Sequence, residues 1–70
     1  MYRRHYMKIK EADKDKARDI LLNRQNASDI DYYRLSRWDE NTVLCVIAPI
    51  VSDDLNEIID EFKLAGIQIL

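Results

Sequence analysis

The two side chains best suited to covalent chemistry occur once each, as His5 and Cys45. A thiol–imidazole pair makes a nucleophile only if the cysteine lies in an electropositive, partly exposed setting. Cys45 instead sits inside the apolar run 43–51, where a cysteine behaves as a small hydrophobe with a high thiol pKa, and His5 has no identifiable carboxylate or thiol partner. Asp13-Lys14-Asp15 and Asp29-Ile30-Asp31 superficially resemble the start of a calcium loop, but neither is followed by the glycine and terminal glutamate that such a loop needs. There is no glycine-rich phosphate loop, nucleophile elbow or paired Cys or His motif. The expectation is a protein that is not an enzyme and uses neither cofactor nor metal.

Two other groupings bear on recognition rather than catalysis. Tyr6, Tyr32 and Trp38 are interleaved with Lys8, Lys10, Arg34 and Arg37, a mixture that stacks on bases or anchors protein interfaces. Asp53, Asp54, Glu57, Asp60 and Glu61 form an acidic strip. Such a strip keeps a small protein soluble, or imitates a phosphate backbone toward a basic enzyme. Without His or Cys, and on a regular helix, it is not a metal site.

These residues are positioned by elements whose hydrophobic period changes along the chain. Residues 6–10 alternate, with Met7 and Ile9 on one face, and predict a strand. Residues 12–25 predict a helix with Ala17, Ile20, Leu21 and Arg24 on one stripe and Asp13 as cap. Residues 32–38 are aromatic-rich and alternating, and 42–48 are β-branched and apolar on both faces, so both predict strands. Asp39-Glu40-Asn41 reads as a three-residue hairpin loop with Asn41 at positive φ. It pairs Trp38 with Thr42 and Leu35 with Cys45. Ser52-Asp53-Asp54 caps a second helix whose stripe is Leu55, Ile58, Ile59, Phe62 and Ala65, Gly66 ends it, and 67–70 predicts a fourth strand.

The order βαββαβ predicts an α+β, two-layer, ferredoxin-like domain spanning 1–70. Its four-stranded antiparallel sheet would have the order 4-1-3-2, with both helices on one face. Tyr6, Lys8, Lys10, Tyr32, Arg34, Ser36 and Trp38 then point to the open face. Leu44, Val46 and Ala48 lie beside them if the hairpin register holds, whereas a two- or four-residue loop would expose Val43, Cys45 and Ile47 instead. Leaving those aliphatic groups wet forfeits a few kcal/mol in a small domain, at roughly 1.5–3 kcal/mol per fully covered Val- or Leu-sized side chain. A partner is therefore expected to cover the face.

Seventy residues with 34% charged side chains make one soluble domain with no large cleft. The net charge of −2 argues against indiscriminate binding to polyanions. That total hides a bipolar layout, because residues 1–38 carry ten cationic and six anionic side chains, whereas 39–70 carry one and seven. No apolar stretch is long enough to span a membrane, and a lone cysteine with no signal-like segment points to the cytoplasm. The expected function is a small protein-binding module, a regulatory or inhibitory accessory protein of bacterial or viral type. It would dock a partner protein, or a second copy as a homodimer, through Trp38, Tyr32, Arg34, Tyr6, Lys8, Leu44 and Val46. The alternatives are single-stranded nucleic-acid binding by the same face, although 42–48 lacks the basic-Gly-aromatic-Gly-Phe run of RNA-recognition motifs, and nucleic-acid mimicry by Asp53, Glu57, Asp60 and Glu61.

Overall fold

The β-branched run at the centre of the chain forms the middle strand of the sheet, as its burial on both faces requires. In the computed structural model, which describes residues 2–70, β1 (His5–Lys10), α1 (Lys14–Asn26), β2 (Ile30–Asp39), β3 (Thr42–Pro49) and α2 (Asp54–Leu64) occur in that order. A single 3-10 turn, Glu11–Asp13, leads into α1. The sheet is antiparallel with order β1-β3-β2. Its helix side holds the core: Ile9, Val43, Cys45 and Ile47 meet Ala17, Ile20 and Leu21 of α1 and Ile58 and Phe62 of α2.

The expected four-stranded sheet is not formed. Residues 67–70 make one antiparallel bridge, Ile9 with Ile69, and the Leu70 N–H donates to Lys8 O at 2.9 Å. The physical reason lies in how α2 ends. Gly66 takes φ 81°, its N–H donates to Lys63 O, and the Ile67 N–H donates to Phe62 O at 2.9 Å. This paired pattern closes the helix. The Ile67 amide is consumed by the cap and its side chain is drawn into the core, which leaves too little extended chain for a ladder.

The α1–β2 connection uses the same device with a less suitable residue. Ser28, at φ 63°, is the one non-glycine residue with positive φ among the described residues. The Ser28 N–H donates to Gln25 O and the Asp29 N–H to Arg24 O, at 3.0 and 2.9 Å. Ending the helix so tightly starts β2 two residues earlier than its sequence suggests, and buries Ile30 against the core. Neither Asp13 nor Asp53 makes a side-chain capping bond, so the acidic residues at the helix starts act only through charge.

The hairpin differs from expectation while preserving its consequence. Asp39, not Trp38, pairs with Thr42, so the turn is Glu40–Asn41 and Trp38 is an extra, bulged residue between the pairs Arg37–Val43 and Asp39–Thr42. Asn41 keeps a negative φ; its N–H donates to Asp39 Oδ1 at 2.9 Å, and this side-chain bond closes the turn. Removing one loop residue and adding one bulge cancel, and Leu35 still faces Cys45.

Candidate functional site

With both helices on one side, the other face of the sheet is open. The register places Tyr6 and Arg34 on either side of Val46, and Lys8 and Ser36 on either side of Leu44. Tyr32 lies beside Ala48, and Arg4, just before β1, continues the alternation on the opposite flank. The Arg4 guanidinium carbon lies 4.8 Å from the Tyr32 ring centroid. Lys8 Nζ lies 3.9 Å from the Trp38 centroid, which brings the bulged Trp38 onto this face. Since β1 and β2 are separated by β3, both pairs reach across the central strand.

Two rows set one cation and one aromatic ring about an aliphatic residue of β3, Arg4 and Tyr32 about Ala48 and Tyr6 and Arg34 about Val46; in the third, Ser36 pairs with Leu44 and the bulged Trp38 meets Lys8 from the hairpin end. The cation changes sides from each row to the next. Successive rows are about 7 Å apart, two residues of strand. No carboxylate stands within them. Asp39 lies at the corner, held below the usual carboxylate range by the Asn41 N–H, the Thr42 hydroxyl and, more weakly, Lys8.

Of the expected wet aliphatic strip only Leu44 keeps partial exposure. Val46 is only 8% exposed and Ala48 2%, although no helix lies over them. The aromatic and cationic side chains of the sheet itself close over the central strand. To solvent the face presents ring and charge: Tyr6 is 65% exposed and Trp38 56%. Arg4 is the member of this site that the sequence pattern did not single out. Its signal was the continuation of the Lys8, Tyr6 alternation by one further step.

The acidic strip is partly occupied from within. Arg24 reaches from α1 to Glu61 at 2.8 Å and Glu57 at 3.5 Å on α2, and also holds Asp29 at 3.3 Å. The hydrogen bond to Glu61 is the main cause that raises the pKa of Arg24 above its ordinary value. Asp53 and Asp60 remain exposed. Mimicry of a phosphate backbone loses two of its four named charges to this internal cation.

Cys45 is fully buried, and desolvation pushes its thiol up to about 11. It is protonated, and therefore not nucleophilic, at neutral pH. His5 lines a cavity of about 300 Å³ with Tyr2, Arg3, Pro49, Ile50 and Ser52, where the chain leaving β3 diverges from the chain entering β1. Among the described residues, no group of three or more His, Cys, Asp or Glu side chains converges as a metal site, and no helix is long and apolar enough to cross a membrane. No family model, curated protein or solved structure matches the chain.

Proposed function

We propose that the protein is a non-enzymatic binding module that works through the open face of its sheet and receives a negatively charged macromolecular partner. One observation carries the reading: Arg4, Lys8 and Arg34 share a face with Tyr6, Tyr32 and Trp38, two of the cations lying over rings, and Asp39 at the hairpin corner is the carboxylate that reaches this group. Tyr6, Lys8, Tyr32, Arg34 and Trp38 are the anchors, with Arg4 added, while Leu44 and Val46 form the floor. The sum of their charges is positive although the chain as a whole is acidic, because the α2 carboxylates lie on the opposite layer.

A second copy is a poor occupant of this face. Pairing two identical sheets would set Arg4, Lys8, Lys10 and Arg34 against the same four groups. The neutralised part of the acidic strip offers little compensation.

Heparin affinity at low salt tests the reading without a known partner. The protein is expected to be retained despite its net charge of −2. Arg34→Glu and Lys8→Glu should elute near the void, while Lys16→Glu, on the exposed surface of α1, should elute with only a small shift. Retention that is lost with Lys16 but not with Arg34 would place the binding surface elsewhere and reject the proposal.

A further inference from the structure

Building on that reading of the face, we infer that its occupant is single-stranded nucleic acid, bound with bases stacked on the exposed rings of Tyr6 and Trp38 and phosphates met by Arg4, Lys8 and Arg34, with Tyr32 half-buried beneath Arg4. Charge complementarity selects a polyanion. The rings select among polyanions: a base in a duplex has both faces covered by its neighbours, whereas an unpaired base can lie on an exposed phenol or indole. Rows repeating about every 7 Å along the strands suit an extended strand whose nucleotides engage successive rows. Tyr6 has no cation over it, whereas Lys8 and Arg4 lie over Trp38 and Tyr32, so a base takes the Trp38 ring as Lys8 swings outward to a phosphate.

An acidic protein is the competing occupant, and the structure disfavours it for a specific reason. Protein partners gain from covering apolar surface, but Val46 and Ala48 are already closed off by the face's own side chains. The surface that remains accessible is the kind on which bases stack. The α2 carboxylates repel a strand from the opposite layer, so binding is confined to one side. The lack of an aromatic on β3 means that the rings come from the two outer strands, Tyr6 on β1 and Tyr32 and Trp38 on β2.

The test is a set of titrations of the intact chain by fluorescence anisotropy. The probes are a labelled single strand of about 12 nucleotides, within the range of compact single-strand sites, the duplex of the same length, and labelled poly-glutamate. The single strand is expected to bind at least about tenfold more tightly than either, with quenching of Trp38. Its binding should fall with salt at a slope of about −2, for three phosphates at about −0.7 each. Tyr6→Ala should weaken binding about tenfold and Arg34→Ala should flatten the slope by about 0.7. Circular dichroism should show both variants folded. Trp38→Phe, which keeps a ring, should bind nearly as wild type while Trp38→Ala does not.

Equal affinity for single strand and duplex, or an undiminished affinity in folded Tyr6→Ala, would overturn the inference by making the contact one of charge alone. Preference for poly-glutamate would overturn it in favour of an acidic protein. In both cases face-dependent heparin retention would leave the proposed binding module standing. Absence of that retention would remove the module itself.

Discussion

Cys45 shows how a single residue's surroundings decide its chemistry. The Sγ lies among Ile9, Val43 and Ile47 on the helix side of the sheet, and burial alone raises its pKa from 9.0 to about 11. The unfolded chain therefore loses this proton at lower pH than the native one, so stability contributed by the neutral thiol is intact below pH 9 and declines between 9 and 11. The stability difference between wild type and Cys45→Ala should narrow across that window, by about 3 kcal/mol for a rise from 9.0 to about 11. Iodoacetamide should label the native thiol only through unfolding. Rapid native-state labelling at pH 8 would show instead that the sulfur is reachable. Arg24 is the contrasting case, a half-buried charge held in place by joining α1, α2 and Asp29 at once.

At the scale of elements, the way a helix ends governs the segment after it. Both helices close with the same paired amide pattern, but Gly66 adopts the left-handed conformation freely whereas Ser28 adopts it at a steric cost. Ser28→Gly should therefore stabilise the domain by about 0.5–1 kcal/mol, and Gly66→Ala should destabilise it by about 1–2 kcal/mol. A Cβ at Gly66 would meet nothing within 4 Å, so the second effect is one of backbone strain. Urea midpoints shifted in opposite directions at unchanged slope would bear this out. Destabilisation by Ser28→Gly would mean that the hydroxyl, not the backbone, holds the turn. The hairpin makes the same point about compensation: a shortened loop would have inverted β3, but the Trp38 bulge restores the register and leaves Leu44, Val46 and Ala48 on the open side.

For the molecule as a whole, the two layers carry different electrostatics. The sheet face gathers Arg4, Lys8, Lys10 and Arg34, while α2 carries Asp54, Glu57, Asp60 and Glu61 on the other side. Because identical faces repel, the protein alone should be monomeric in solution at concentrations where an open apolar sheet would dimerise. Light scattering coupled to size exclusion at low salt measures this directly. A dimer dispersed by Tyr6→Ala would show that the rings pair with themselves and would overturn the proposal of an anionic partner. The small size of the domain makes its few large core residues, Phe62 above all, indispensable.

Period and residue type, read along the chain, determined the five elements and the face on which Tyr6, Lys8, Tyr32 and Arg34 lie, whereas the pairing of Leu35 with Cys45 rests on a bulge that offsets the shorter turn. These come from short-range rules, since alternation fixes a side chain's face once its strand exists. Tertiary structure decided the rest. It gave the Ile67 amide to a helix cap rather than a fourth strand, made Trp38 a bulge, added Arg4 to the face, closed the floor over Val46 and Ala48, and drew Arg24 across to Glu57 and Glu61. Each outcome is a competition between groups distant in sequence for one hydrogen bond, one charge or one patch of surface, and no local pattern encodes which competitor wins.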